Sequence, residues 1–424
     1  MTLLLLLSLL ALACEKKPEP DVNPPVIEGV KPSKAADHAL ILYSAGFNNL
    51  SNALSENIGT LKKGFIPGIH DSKMLFILEH HTAGSYSDRT SPTLTRLYLD
   101  EQGKLQEEVI LKLFTSTFLT DPNTMKAILS EIDKAYDIQT YGMIFSSHSS
   151  GYLPKDYLEH ERYYENGGGS DFSSYGLQSA GRIGTVNEVL GYPLTKSLGA
   201  DFGGPKELEE MDFIEFCASL PVNFEYILFD SCLMGGIEVA YELKDKCKVI
   251  GASPTEVMAK GINYTNITDH IFNGDGYGLT DISREYMEQY RNPDEPYPHA
   301  TWALVETAGL DALAERCATL FETYRSDIEK IDGNYVQEFF YLRRRHFHYD
   351  FLDILRQVCN PQEIREVEDL LDRCILFKDA TPYFLNCRIE KFSGLSMMLP
   401  SDAGNYLKNY YKNLAWNKAT QLVK

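Results

Sequence analysis

Two apolar segments of the sequence end in a reactive side chain at the same distance. Residues 143–145 are Met-Ile-Phe and are followed by two serines and then His148. Residues 227–229 are Ile-Leu-Phe and are followed by an aspartate, a serine and then Cys232. If the two segments are neighbouring parallel strands, both side chains emerge at one edge of the sheet, where open α/β folds place their functional sites. The spacing therefore predicts a thiol beside an imidazole.

A thiol beside an imidazole can carry out acyl transfer. The histidine deprotonates the thiol, or holds it as an ion pair, and then protonates the leaving amine of a cleaved peptide. A helix predicted to begin at Gly235 would place its N-terminus near Cys232 and favour the thiolate. Backbone amides of Ser149 and Cys232 would form an oxyanion hole. Spacing alone does not distinguish this pair from a packed thiol and an unrelated histidine, because free cysteine is usually buried.

The elements that would position these side chains follow from the apolar pattern. Several runs are apolar on successive residues, which is typical of strands covered on both faces in a parallel sheet. The alternation of such runs with amphipathic segments predicts an α/β fold with right-handed crossovers. Residues 96–114 predict a β-hairpin, because an Asp-Glu-Gln-Gly turn separates two apolar runs. The predicted strands span residues 39–43, 74–78, 143–145, 226–229, 249–252 and 301–305, and the predicted helices span residues 124–136, 213–220 and 237–247.

Composition divides the chain into four parts. Residues 1–13 are largely apolar but too few to span a bilayer, which indicates a signal peptide. Residues 14–37 are rich in proline and predict an extended tether. Residues 38–308 predict the α/β core, with a long loop over residues 152–205 that has little periodicity. Residues 309–424 predict a mainly helical C-terminal part with a final strand, packed on the core.

The signal peptide ends in Ala-Leu-Ala-Cys, which resembles a bacterial lipobox, in which the cysteine is lipidated. Cys14 is therefore predicted to anchor the protein to a bacterial envelope membrane, facing the periplasm or the surface. A plain secretory signal and a buried apolar strand are the alternatives. The formal net charge of −20 argues against nucleic-acid binding. The other seven cysteines have no short paired spacing, so neither a zinc motif nor a disulfide framework is predicted.

The segment around Cys232 resembles the nucleophile segment of clostripain-like cysteine peptidases. Its sequence is Phe-Asp-Ser-Cys-Leu-Met-Gly, and the resemblance extends over about residues 38–415. The further matching segments are Leu-Tyr-Ser-Ala-Gly at 42–46, Asn-Asn-Leu at 48–50, Ala-Ser-Pro-Thr-Glu at 252–256 and Gly-Leu-Ser at 394–396.

This resemblance implies a caspase-like three-layer αβα sandwich with a mainly parallel sheet. It also implies a Cys-His dyad that cleaves after arginine or lysine through a thioester, with basic peptides and proteins as partners. By position, Cys232 matches the nucleophile and His148 the dyad histidine. Asp230 matches the acidic residue of the basic specificity pocket, where its carboxylate would pair with the substrate side chain. The family usually has glycine after the histidine, whereas this chain has Ser149.

Maturation and cofactors follow from the same resemblance. Family members are commonly cleaved between the two catalytic residues, and Arg182 and Lys196 in the long loop are candidate processing sites, although both are equally compatible with ordinary solvated charges. Calcium activation occurs in the family, but no contiguous Asp/Asn ligand loop is present, so calcium stays open and no metal ligand is assigned.

Two alternatives to an endopeptidase cleaving after basic residues remain. The first is a catalytically silent, peptide-binding lipoprotein on the same fold, which the presence of Ser149 favours. The second is a protease of a neighbouring caspase-like family that prefers acidic residues or asparagine.

Overall fold

A nine-stranded sheet forms the centre of the computed structural model, which describes residues 35–83, 90–155, 157, 201–204, 207–209, 211–339 and 347–424. Nine of the strands in the described residues form this sheet, and the other six form three two-stranded ladders. In chain order the strands are β1 (His38–Gly46), β2 (Lys73–His81), β3 (Thr93–Leu99), β4 (Leu105–Lys112), β5 (Tyr141–Ser146), β6 (Asp201–Gly204), β7 (Glu207–Glu209), β8 (Phe224–Asp230), β9 (Cys247–Ala252), β10 (Thr301–Glu306), β11 (Tyr349–Asp350), β12 (Ile375–Ala380), β13 (Tyr383–Phe384), β14 (Cys387–Arg388) and β15 (Ser396–Met397).

The helices of the described residues are distributed along the whole core and the C-terminal part. They are α1 (Ser51–Leu61), α2 (Pro122–Ala135), α3 (Phe213–Ser219), α4 (Ile237–Leu243), α5 (Ile267–Asn273), α6 (Leu279–Arg291), α7 (Leu310–Ile328), α8 (Phe351–Arg356), α9 (Pro361–Asp372), α10 (Asn405–Tyr411) and α11 (Ala415–Thr420), with short 3-10 turns at Asp275–Gly278, Thr307–Gly309 and Gly333–Tyr335.

The sheet is parallel in its centre and antiparallel at both edges. Its strand order is β12-β10-β9-β8-β5-β1-β2-β3-β4. The five strands from β9 to β2 are parallel to one another, and the pairings β2–β3, β3–β4, β9–β10 and β10–β12 are antiparallel. The expected α/β fold is confirmed, and the predicted hairpin is present as β3 and β4, which form one edge of the sheet.

Helices cover both faces of the central strands. Successive side chains of a strand point to opposite faces, and in β1 Ile41 packs on one side while Leu40 and Leu42 pack on the other. The first side is covered by α2, α3, α4 and α7, and the second by α1, α5 and α6. All nine residues of β1 are buried, so its nearly continuous apolar sequence reflects burial on both faces.

The C-terminal part adds a strand that the sequence pattern did not predict. β12 pairs antiparallel with β10 at the edge of the main sheet. Its residues alternate between half-buried and exposed positions, with the apolar Leu376 exposed, and this mixed pattern is why the segment did not resemble a buried strand. The predicted final strand is present as β15, but it pairs with β11 outside the main sheet.

Several predicted segments lie outside the described residues, namely the signal peptide, nearly all of the tether and most of the loop at 152–205. At the end of that loop, β6 and β7 pair as a short antiparallel ladder. Within the part of the chain that the structure describes, none of the helices has both the length and the apolar character needed to cross a bilayer.

Candidate active site

The two reactive residues predicted from the sequence follow adjacent parallel strands in equal register. Ser146, the last residue of β5, lies opposite Asp230, the last residue of β8. His148 and Cys232 each follow two residues later. The carboxyl ends of parallel neighbours share one edge of the sheet, so the turn bearing the imidazole runs beside the turn bearing the thiol.

Two features hold these turns against each other, namely a hydrogen bond from Ser149 and the close approach of Gly151. The hydroxyl of Ser149 donates a hydrogen bond to the carbonyl oxygen of Cys232. Gly151 has a φ of +68°, and a Cβ there would lie 2.5 Å from the carbonyl oxygen of Leu233. Only glycine accommodates both that backbone angle and that approach. Ser149 therefore links the turn of His148 to the turn of Cys232.

The thiol of Cys232 is fully buried and faces the segment that follows β9. Its Sγ accepts a hydrogen bond from the backbone N–H of Val257 at 3.1 Å. The N–H of Gly235 donates to the carbonyl of Ser253 at 2.9 Å, so the turn that bears Cys232 runs alongside this segment. The segment therefore both orients the thiol and covers it.

The helix after Cys232 begins two residues beyond the predicted start at Gly235, at the first residue of the predicted amphipathic segment 237–247. Helix α4 begins at Ile237, and Gly236 before it is extended, with φ −94° and ψ 149°. Gly235 is therefore not part of the helix, because the extended backbone of Gly236 lies between them. The group that donates a hydrogen bond to Cys232 Sγ is the backbone amide of Val257, which belongs to a loop and not to a helix terminus.

His148 is buried and contacts an asparagine from the turn after β1. Its Nε2 lies 2.6 Å from the side-chain oxygen Oδ1 of Asn49, a distance at which a protonated Nε2 donates to that oxygen. Strand β5 pairs with β8 on one side and with β1 on the other. In the sequence Asn49 stands in a segment that matches the family, at 48–50, but nothing there indicated a chemical role for it. Its position just beyond a third strand of the same edge was the available signal.

Asp230 is fully buried, and its carboxylate contacts two hydroxyl groups and one glycine. Its Oδ2 accepts hydrogen bonds from Ser146 Oγ at 3.0 Å and from the hydroxyl of Tyr264 at 2.7 Å. Gly261 has a φ of +67°, and a Cβ there would lie 2.5 Å from Oδ1. The pKa of Tyr264 is raised well above its ordinary value, mainly by burial and to a lesser extent by the negative charge of Asp230.

Glu238 is a further buried carboxyl, six residues after Cys232, and no sequence motif pointed to it. It lies in the first turn of α4, where its Oε1 accepts hydrogen bonds from the N–H of Met398 at 2.8 Å and the hydroxyl of Tyr411 at 2.7 Å. Burial raises the pKa of Glu238 to about 7, and the two hydrogen bonds oppose this increase. The carboxyl ties the helix after Cys232 to the C-terminal part.

Glu238 should make the stability of the protein depend on pH. Because its pKa is higher in the folded chain than the ordinary value of 4.5, its contribution to stability is complete below pH 4.5 and is lost as the pH rises through about 7. A pKa that differs by one between the folded and unfolded chain changes the free energy of unfolding by about 1.4 kcal/mol. Wild type should therefore lose more thermal stability between pH 5 and pH 8 than Glu238→Gln, as measured by the melting temperature at each pH. The same change at the exposed Glu288 is the control, and equal pH dependence in all three proteins would contradict this assignment.

Other residues singled out from the sequence are not part of the described site. Cys14, Arg182 and Lys196 lie outside the described residues. Among the residues that the structure does describe, no group of three or more histidine, cysteine, aspartate or glutamate side chains is placed to hold a metal ion.

Comparisons with known proteins point to one family. The sequence profile of the clostripain family matches residues 192–412, which is more than half of the chain. An inactive zymogen C11 protease from Parabacteroides distasonis superposes with a TM-score of 0.72 at 23% identity, covering 91% of this chain and 99% of that one. The secreted C11 cysteine protease "iotapain" of Bacteroides thetaiotaomicron superposes with a TM-score of 0.70 at 22% identity, covering 91% and 100%.

A third structure is a secreted C11 cysteine protease from Bacteroides thetaiotaomicron in complex with an irreversible peptide inhibitor. It superposes with a TM-score of 0.70 at 17% identity and covers 92% of this chain and 100% of that one. At these identities the superpositions establish the fold, which they place with the C11 proteases. No curated protein matches the chain significantly.

Proposed function

Because the chain belongs to the clostripain family of cysteine peptidases, we propose that Cys232 is its nucleophile, that His148 is its general base, and that it cleaves after arginine or lysine. The observation that carries this proposal is the register of β5 and β8, which aligns Ser146 with Asp230 and so brings the two following turns side by side. The hydrogen bond from Ser149 to the carbonyl of Cys232 supports the same pairing.

The reaction follows from these two groups. Cys232 Sγ gives its proton to His148 and attacks the carbonyl carbon of the peptide, forming a C–S bond while the carbonyl electrons move to oxygen. Backbone amides of Ser149 and Cys232 stabilise this oxyanion. The intermediate collapses with cleavage of the C–N bond, and His148 protonates the departing amine. Water, deprotonated by His148, then hydrolyses the thioester and releases the thiol.

Asp230 is proposed to select a basic side chain at the cleavage site. It precedes the nucleophile by two residues, and its carboxylate is fully buried. A carboxylate in a site of low dielectric attracts an arginine or lysine strongly and offers a neutral side chain no equivalent partner. The positive φ of Gly261 allows its backbone to lie against this carboxylate, so no side chain at that position occupies the space beside it.

Substrate binding requires a change in the segment after β9. The thiol of Cys232 and the carboxylate of Asp230 are both fully buried, and residues of this segment, Val257 and Gly261, lie directly against them. A peptide can reach either group only when this segment moves. We infer that the conformation described here precedes substrate binding, as in the protein of the same fold that was solved as an inactive zymogen.

Peptide hydrolysis tests the proposed function. Fluorogenic peptides that differ only in the residue before the cleaved bond, namely arginine, lysine, aspartate, asparagine and alanine, should be cleaved much faster after arginine or lysine than after the other three residues. Each assay is run before and after limited trypsin treatment, which substitutes for maturation. Because trypsin also cleaves after arginine and lysine, it is blocked with a serine-protease inhibitor before the assay, and Cys232→Ala treated in the same way is the control. Cleavage after aspartate or asparagine would support a neighbouring caspase-like specificity. Tight binding of the basic peptides without turnover would support the silent peptide-binding lipoprotein and contradict the enzyme proposal.

Two covalent changes outside the described residues are also proposed. One is cleavage by the protein itself at Arg182 or Lys196, and the other is lipidation at Cys14, which would attach the protein to a bacterial envelope membrane. Both rest on sequence, since basic residues lie in the loop between the two catalytic turns and Cys14 follows a lipobox-like segment.

Intact-mass measurement of protein purified from whole cells solubilised in detergent reads both changes. Wild type should appear as two chains separated after Arg182 or Lys196, while Cys232→Ala should stay a single chain. The N-terminal fragment should carry the mass of a diacylglyceryl group, and Cys14→Ser should lack it. Identical single chains in wild type and Cys232→Ala would exclude self-processing, and an unmodified N-terminal fragment would exclude the lipid anchor.

A further inference from the structure

We propose that Asn49 completes a Cys-His-Asn triad, as a positioning residue that fixes the imidazole of His148 for proton exchange with Cys232. This inference rests on the proposed function of the dyad, and it adds a third residue that neither the sequence pattern nor the family match assigns. The observation behind it is the 2.6 Å contact between His148 Nε2 and Asn49 Oδ1.

The order of the strands places the three residues in a row. Strand β5 lies between β1 and β8, and all three strands are parallel. Asn49 follows β1, His148 follows β5 and Cys232 follows β8, each beyond the carboxyl end of its strand. The imidazole is therefore flanked by the asparagine turn on one side and by the nucleophile turn on the other.

The turn that bears Asn49 is held by its neighbours. The side chain of Asn48 donates to the carbonyl of Ala45 at 3.2 Å and accepts from the N–H of Leu50 at 2.9 Å. Ser147, next to the histidine, also donates to the carbonyl of Ala45, at 2.7 Å. These bonds fix the backbone on both sides of Asn49 and tie its turn to that of His148. A positioning residue needs such support, because a loosely held partner cannot restrict the imidazole.

The contact also selects the state of the ring. When Nε2 carries a proton and donates it to Asn49, the nitrogen that exchanges a proton with a thiol is Nδ1, which is buried. An amide oxygen does this without adding charge, so the imidazolium that forms with the thiolate is oriented but is not held as tightly as beside a carboxylate. Asn49 therefore favours the correct ring orientation while leaving the proton mobile.

Three variants of the full chain test this role: Asn49→Ala, Asn49→Asp and, as the control, Asn52→Ala at an exposed position of α1. Losing one hydrogen bond to the ring should lower kcat for cleavage of an arginyl peptide roughly 10- to 100-fold, with KM nearly unchanged. Asn49→Asp retains an acceptor oxygen and adds charge. It should recover part of the lost rate and move the alkaline limb of the pH–rate profile to higher pH. Asn52→Ala should match wild type.

A residue that merely shapes the turn would behave differently. Equal losses in Asn49→Ala and Asn49→Asp, with the pH profile unmoved or with KM raised as much as kcat is lowered, would overturn the triad. Alkylation of Cys232 by iodoacetamide as a function of pH, measured after the same limited trypsin treatment and located by peptide mapping, gives a readout independent of turnover. If wild type cleaves no peptide, the proposed function has failed. The triad then stands if Asn49→Ala shifts this alkylation profile and falls if it does not.

Discussion

Cys232→Ala is expected to abolish peptide hydrolysis, lowering kcat/KM by at least about 10⁴-fold, because the variant cannot form the thioester. His148→Ala should lose activity on a similar scale, since the thiol then lacks its proton acceptor and the amine its proton donor. The double variant should be scarcely worse than either single variant, because the two groups act as a unit. Initial rates with an arginyl fluorogenic peptide provide the measurement.

The chain offers a control for the loss of a cysteine. Cys359 is only partly buried and lies between α8 and α9, so Cys359→Ala should retain wild-type activity. Melting temperatures establish that the inactive variants remain folded. Substantial hydrolysis by Cys232→Ala, sensitive to the loss of a different cysteine, would show that the nucleophile lies elsewhere.

Asp230→Asn is expected to reduce the preference for basic residues by roughly 10²–10³-fold, because the variant keeps the shape of the side chain and removes its charge. The amide oxygen can still accept the hydrogen bonds from Ser146 and Tyr264, so the pocket should stay folded. The loss should appear in kcat/KM for arginyl and lysyl peptides, while the slow cleavage after alanine should change little.

The ratio of arginyl to alanyl cleavage separates specificity from damage. Asp350 is also fully buried and caps α8, so Asp350→Asn is a matched control that should leave this ratio unchanged even if it lowers stability. If Asp230→Asn lowers all rates by the same factor, the residue supports the turn and does not select the substrate.

The parallel centre of the sheet was predictable because its signal is local. Each central strand is buried on both faces, so the segments that lead to His148 and Cys232 are apolar on successive residues. Each segment ends at the same distance from His148 or Cys232, and the structure pairs the last residues of the two strands, Ser146 and Asp230. The edge strand β12 was missed because one of its faces is exposed, which leaves no continuous apolar run.

The finer features of the site could not be predicted because they join distant parts of the chain. The contact between Asn49 and His148 spans 99 residues, and that between Glu238 and Met398 spans 160. Neither has a periodic pattern in the sequence. The start at Gly235 was too early because Gly236 is extended, a conformation that local helix signals do not reveal. Ser149 replaces the glycine that is usual in the family, and the sequence did not reveal that its hydroxyl donates a hydrogen bond to the carbonyl of Cys232.

Covalent trapping tests most directly whether Cys232 is the thiol that attacks substrate. An arginyl peptide chloromethyl ketone places its electrophilic carbon where the scissile carbonyl would lie, and the attacking sulfur displaces chloride to form a stable thioether. The full chain is incubated with the reagent after limited trypsin treatment and inhibition of the trypsin, and peptide mapping by mass spectrometry locates the adduct among the eight cysteines. The adduct is expected on Cys232 alone, at a rate that falls sharply in His148→Ala. An adduct on another cysteine, or labelling of Cys232 that is unchanged in His148→Ala, would contradict the proposed dyad.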